Sequence, residues 1–245
     1  MIGCVPYLNA RPLIHGIPSA EVLLDVPSRL ARDFAAGGLD AALLPVFAVL
    51  QAGGGRLVDG VAIACLGEVR SVLVVGPEPL AVSGAVYEDP SSVCSNALLR
   101  VLAAEFLSGG IRVVAGPPPE GAARVVIGDP ALEIQKSPKG HFITDLGEFW
   151  FEQTGLPFVF AAWQLSDATP VDGSLADRLR DAAAAGQCAR KEIAAGEPDP
   201  EQALDYLTRH IRYTLGREEK AALRLFIELA RQHGILKADP KIRWE

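Results

Sequence analysis

Val5-Pro6-Tyr7-Leu8-Asn9-Ala10-Arg11-Pro12-Leu13, the run from residue 5 to residue 13, decides how the rest of the chain is read. The apolar residues Ile2 to Val5 predict an opening strand, and Pro6 ends it because proline has no N–H to give to a ladder. Tyr7, Asn9 and Arg11 follow before Pro12 turns the chain. An aromatic ring, an amide and a guanidinium are thus delivered to a strand's carboxyl end, the edge at which open α/β sheets bind ligands. A plain strand-to-helix connection would have the same spacing, so the pattern by itself leaves both readings open.

Composition narrows the classes. With 245 residues, 49% of them hydrophobic, the chain has material for one large or two small domains with a real core. The net charge of −7, with Lys and Arg scattered, excludes a nucleic-acid partner or an anionic membrane surface, so an anionic ligand must be held by local groups. Cys4, Cys65, Cys94 and Cys188 have no CxxC or CxH spacing and read as reduced thiols of a cytoplasmic protein. The four histidines are equally dispersed, so no metal is expected. No basic amino-terminal segment leads into a long apolar stretch, and no apolar run approaches the roughly 20 residues a membrane helix needs. The expectation is a protein neither exported nor embedded.

Strands and helices then alternate, which predicts an α/β fold. Val22 to Val26 reads as a strand, and Pro27-Ser28 opens a helix with Ser28 as N-cap. Asp40 to Pro45 is a buried strand ending at Pro45-Val46, and Gly53-Gly54-Gly55 is a turn, since no Lys-Ser or Lys-Thr follows to make a phosphate loop. Val61 to Cys65 is a strand, after which Gly67-Glu68-Val69-Arg70-Ser71-Val72 leads into Leu73 to Val75. The helix at Ser95 to Leu107 carries an apolar stripe of Leu98, Leu99, Leu102 and Phe106 and is closed by Gly109-Gly110. Its start, Ser92-Val93-Cys94-Ser95-Asn96, offers unpaired amides as a generic anion seat. The strand Arg124 to Ile127 ends in Gly128-Asp129, where Asp129 either faces a ligand or caps the next helix. Phe158 to Leu165 is an aromatic-rich strand; helices without a catalytic motif follow from Asp172, and the closing ADPKIRWE reads as a loosely held tail.

Taken together these stretches resemble the chorismate dehydratase family of the futalosine route to menaquinone. The similarity rests on Tyr7-Leu8-Asn9 with Pro12-Leu13, Pro45-Val46, Gly67-x-Val69-x-Ser71-Val72, Ser92 with Ser95, Ile127-Gly128-Asp129-x-Ala131-Leu132, Asp145-Leu146-Gly147 and Thr154 to Val159. It covers residues 1 to about 165 well and the remainder only by helical pattern. Cys94 stands where the family has threonine, and a thiol is a weaker hydrogen-bond donor than a hydroxyl.

The resemblance implies a two-lobed, type II periplasmic binding protein-like α/β fold with a central cleft and two hinge crossings, at Ser71 to Val75 and Phe158 to Trp163. Residues 1–75 would form the first lobe, 76–163 the second, and 164–245 would return to the first as helices. The implied activity is loss of water from chorismate to give 3-[(1-carboxyvinyl)oxy]benzoate, with no cofactor and with the substrate's own enolpyruvyl carboxylate as proton acceptor. Asn9 and Ser71 would be catalytic. Tyr7, Arg11, Val46, Arg70, Cys94, Ser95, Asn96, Gly128 and Asp129 would surround the small dianion, although Arg11 and Arg70 would serve equally as solvated surface residues. Two alternatives have different readouts: a cytosolic anion-binding protein of the same fold, and the related lyase acting on cyclic dehypoxanthine futalosine.

Overall fold

β1 (Ile2–Cys4), an unbroken apolar run, is buried throughout and pairs along both edges with parallel strands, β2 (Val22–Leu24) and β3 (Ala41–Pro45). The computed structural model describes residues 1–107, 110–138 and 140–245. Helix α1 (Pro27–Ala35) begins two residues earlier than an N-cap at Ser28 would place it. Val26 is the N-cap and Pro27 the first helical residue, where a missing N–H costs nothing, so Ser28 lies inside the first turn. The chain continues through α2 (Val46–Gln51) and the long strand β4 (Gly54–Cys65).

The contacts divide the chain into two units. Unit 1 is Met1–Ala64, Val159–Lys220 and Ala238–Glu245; unit 2 is Cys65–Phe158 and Ala221–Lys237. The first change comes at Ala64 and Cys65 rather than near Gly76, because β5 (Val72–Gly76) bonds wholly within the second sheet. The rest of unit 2 runs through β6 (Ala85–Tyr87), α3 (Val93–Phe106), β7 (Arg112–Val114), β8 (Ala123–Ile127), α4 (Asp129–Lys136), β9 (Phe142–Asp145) and α5 (Leu146–Thr154). Its sheet has the order β7-β6-β8-β5-β9, with β5 antiparallel to both neighbours and β6 parallel to both of its own. Leu73, Val75, Val126 and Ala131 form one core cluster of this unit, with Ile134 and Ile143 packed against it. Gly109, read as a closing residue of α3, lies outside the described residues.

Trp150, Phe158 and Phe226 form a second apolar centre in unit 2. Their centroids are 5.5, 6.1 and 5.1 Å apart and every pair meets edge to face, the arrangement that aromatic quadrupoles favour. The Trp150 indole N–H donates to the Pro157 carbonyl at 2.9 Å, so the ring is buried without an unmet donor.

β10 (Phe158–Leu165) returns the chain to unit 1, antiparallel to β3, and is followed by α6 (Ser174–Cys188), α7 (Arg190–Ala195) and α8 (Pro200–Asp205). A single π-helical turn, Tyr206–His210, follows directly on α8: the Ile211 N–H reaches back five residues to the Tyr206 carbonyl at 3.2 Å. Helix α9 (Arg217–Gln232) starts in unit 1 and belongs to unit 2 from Ala221.

The closing segment is a strand and not a loose tail. β11 (Lys241–Trp244) pairs parallel to β4 and completes the sheet order β11-β4-β10-β3-β1-β2. Arg56, only 4% exposed, donates to the Glu245 carboxylate at 2.9 Å and to the Ser166 and Thr169 carbonyls at 2.9 and 2.7 Å, which repays the burial of its charge. The Lys220 ammonium lies 4.7 Å from the centroid of the Trp244 ring.

Helix α6 packs on the 3-10 turn Leu8–Ile14 at a position where only glycine fits, for a Cβ on Gly186 would fall 2.0 Å from the Pro12 carbonyl oxygen. Gly186→Ala is therefore expected to cost about 1–3 kcal/mol in urea unfolding. The exposed Gly84, whose Cβ would meet open space, should tolerate alanine within about 0.5 kcal/mol.

Candidate functional site

In unit 1 the 3-10 turn Leu8–Ile14 leaves the carboxyl end of β1. Tyr7 opens it, its carbonyl accepting the Ala10 N–H at 3.0 Å. Leu8, Ala10, Pro12 and Leu13 are buried, while Arg11 turns outward and pairs with Glu197. Asn9 is half-buried, and its Nδ2 donates to the Tyr206 phenol oxygen at 3.2 Å. Its carbonyl Oδ1 is buried with no hydrogen-bond partner among the described residues. Val46 is fully buried as the first residue of α2, so its side chain belongs to the core of this unit.

In unit 2 two sequence stretches meet at Ser71, which is 4% exposed. Its backbone carbonyl accepts the Gly128 N–H at 2.9 Å, joining the stretch that ends in Ser71-Val72 to the one that begins Ile127-Gly128-Asp129. Arg70, immediately before it, has φ +63° and is the one non-glycine residue with positive φ among the described residues. That conformation is disfavoured for a side chain with a Cβ and persists only where its surroundings hold it.

Asp145 does the holding. Its carboxylate accepts the Val69 N–H at 3.1 Å to each oxygen and the Arg70 N–H at 2.6 Å. The same group caps α5 by accepting from Gly147 at 2.9 Å and Glu148 at 3.1 Å. The close approach explains Gly147, where a Cβ would lie 2.6 Å from the Cys65 sulfur and 2.8 Å from the Gly67 carbonyl oxygen. Burial pushes the Asp145 carboxyl up to about 6 and the nearby charge of Glu68 adds to this, while the N–H bonds from Glu148, Val69 and Arg70 pull it down. The Arg70 guanidinium meets the Glu68 carboxylate at 3.2 Å.

The start of α3 is also in unit 2. Ser92 caps the helix, donating to the Ser95 hydroxyl at 2.7 Å and accepting the Ser95 N–H at 3.4 Å; Cys94 and Ser95 are both buried. The Asn96 amide is taken up at both ends by the preceding turn, donating to the Asp89 carbonyl at 2.7 Å and accepting the Asp89 N–H at 3.1 Å. Gly128, φ +65°, occupies the N-cap of α4, which makes Asp129 the exposed first helical residue and not the cap.

Sequence reading missed two partners. Tyr206 lies in the stretch read as helices without a motif, and nothing local ties it to Asn9. Asp145 left a readable trace, because an acid three residues ahead of Glu148 is a helix-start signature. Among the described residues no three His, Cys, Asp or Glu side chains are grouped to hold a metal ion, and no helix is long and apolar enough to cross a membrane.

Comparison with known proteins gives this geometry a context. A family model described as menaquinone biosynthesis matches residues 1–232. The chorismate dehydratase of Thermus thermophilus is 28% identical over 259 residues, spanning 93% of this chain and 94% of that protein. The chorismate dehydratase of Campylobacter jejuni is 33% identical over 157 residues, 63% of this chain and 58% of that protein. Among solved structures, a protein from Archaeoglobus fulgidus superposes with a TM-score of 0.72 at 15% identity over 96% of this chain and 97% of its own. The periplasmic aliphatic sulphonate binding protein of Escherichia coli superposes with a TM-score of 0.65 at 14% identity over 98% of this chain and 94% of its own. The fold is thus periplasmic binding protein-like, with two mixed sheets.

The Asp145 carboxyl titrates with a definite sign. Its folded pKa of about 6 lies above the 3.8 of an ordinary aspartate, so the native state binds this proton more tightly than the unfolded chain. Its contribution to stability is full below about pH 4 and is lost as pH rises through about 6. Between pH 4 and 6 the unfolding free energy of the wild type is expected to fall with rising pH more steeply than that of Asp145→Asn, by up to about 1.4 kcal/mol per pH unit. Superimposable urea-unfolding profiles would remove Asp145 as a titrating group.

Proposed function

Because the chain belongs to the menaquinone biosynthesis family, we propose that it is a chorismate dehydratase, a hydro-lyase that converts chorismate to 3-[(1-carboxyvinyl)oxy]benzoate and water. The observation that carries this reading is the Thermus thermophilus chorismate dehydratase, matched over nearly the whole length of both chains. The cyclohexadiene ring loses the C3 proton and the C4 hydroxyl and becomes aromatic. The overall change is downhill, and the protein's task is to fix one geometry and shield it. On this reading the substrate's own enolpyruvyl carboxylate takes the proton.

Asn9 and Ser71 are the residues we assign to the chemistry, hydrogen-bonding the ring hydroxyl or a carboxylate as charge develops. The start of α3 seats the other carboxylate through the Ser95 hydroxyl and the Cys94 amide, helped by the positive end of a 14-residue helix. An amide contact at Cys94 is insensitive to the exchange of threonine for cysteine. Asn96 supports the seat from behind by holding the Asp89 turn. Arg11 and Arg70 already have carboxylate partners, Glu197 and Glu68, so a ligand must compete for them. We place the protein in the cytoplasm, in keeping with its four free cysteines.

Purified protein incubated with chorismate is expected to yield the aromatic product, followed by proton NMR. Asn9→Ala and Ser71→Ala should each lower kcat by about 10²–10³-fold while changing KM much less. Chorismate left intact at high protein concentration would replace the enzyme with a binding protein of the same fold.

A further inference from the structure

Folded proteins seldom bury polar atoms without a partner, and each such atom calls for an explanation. In unit 1 two of them are connected through one residue. The Asn9 Oδ1 and the Tyr213 hydroxyl have no hydrogen-bond partner among the described residues, and Tyr213 is only 2% exposed. Tyr206, 3% exposed, accepts the Asn9 N–H at 3.2 Å, and its phenol adds to the effect of burial in raising the Tyr213 pKa.

The backbone is built to bring the two tyrosines there. The π-helical turn puts the Ile211 N–H on the Tyr206 carbonyl and ends the helix. Ile211 to Tyr213 then run extended along β4, where Arg212 bridges Ala64 and the Tyr213 carbonyl accepts the Ala62 N–H at 3.3 Å. Such turns insert one residue into a helix and are frequent at functional sites. A phenylalanine at 213 would fill the same volume without burying an unpaired hydroxyl, so the oxygen at this position needs a reason.

An amide has two ends with opposite character. With its N–H end engaged by Tyr206, Asn9 presents its carbonyl end, an acceptor. We propose that Tyr206 is the positioning residue of Asn9, and that Tyr213 supplies a hydrogen-bond donor beside it, so that together they receive an alcohol oxygen of the substrate. The alcohol donates to the Asn9 Oδ1 and accepts from the Tyr213 hydroxyl, and no proton changes owner. Desolvation raises the Tyr213 pKa, so the phenol keeps its proton and remains a donor across the working pH range. The proposal rests on the assignment of Asn9 to the substrate made above, and it specifies which group Asn9 meets: the ring hydroxyl rather than a carboxylate, which has no proton to give to a carbonyl.

The test is kinetic and uses the full chain. Tyr206→Phe is expected to lower kcat by about 10-fold with KM within about 3-fold, and to add less than about 2-fold when introduced into Asn9→Ala, because positioning has no value once the positioned group is gone. A merely structural role would add its full loss in both backgrounds, and that result would overturn the assignment of Tyr206. Tyr213→Phe removes an oxygen that has no hydrogen-bond partner among the described residues. It is expected to keep or raise the melting temperature while lowering kcat/KM by about 10-fold. It therefore keeps the proposal testable should Tyr206→Phe fold poorly, and wild-type kinetics in Tyr213→Phe would overturn the donor role. Calorimetric titration with chorismate separates the two levels of the argument. A wild type that binds chorismate without converting it overturns the dehydratase reading alone, and Tyr213→Phe should then still weaken binding about 10-fold. Unchanged affinity would overturn the alcohol site.

Discussion

One buried carboxylate holds the loop on which unit 2 depends. Asp145 gathers N–H groups from Val69 and Arg70 on one side and from Gly147 and Glu148 on the other. Together these bonds hold Arg70 at a φ its side chain would otherwise leave. Ser71 follows directly, its carbonyl fixed to Gly128 and its strand already between two antiparallel partners. The residue assigned to chemistry therefore has no freedom of its own. Its position is a consequence of a helix cap, a strained backbone and a glycine that lets two segments touch.

Unit 1 works by a different device. The turn that carries Asn9 is seated by α6 through the contact at Gly186, and the Asn9 amide is steered by Tyr206. Both supports come from the carboxyl-terminal part of the chain, which carries no recognisable motif. Its role is to tell an amide at the other end of the sequence which way to face.

How much of this could be read beforehand follows from the range of each interaction. The turn at Tyr7 to Arg11 was legible because Pro6 and Pro12 punctuate it locally, and the strand and helix order followed from short-range patterning. Asp145 was half legible: the acid ahead of Glu148 signals a cap, but nothing local shows that the same oxygens reach back to Val69 and Arg70. The bond between Asn9 and Tyr206 spans 197 positions and leaves no local trace. β11 was missed although Lys241 to Trp244 alternates polar and apolar residues as a strand should, because charge and a preceding proline made it look like a tail. The division at Cys65 depends on which sheet β5 joins, a choice made by pairing partners distant in sequence.

The parallel pairing of β4 with β11 has a consequence for how the molecule is made. Gly54 finds its partner in Lys241, so during synthesis this border of β4 stays uncovered until residues 241–244 have emerged. Unpaired borders of this kind invite adhesion to neighbouring chains, and pairings between sequence-distant segments are slow to form. Nascent copies of this protein would thus stay vulnerable until β11 has been made, and a chain without β11 would keep that vulnerability permanently.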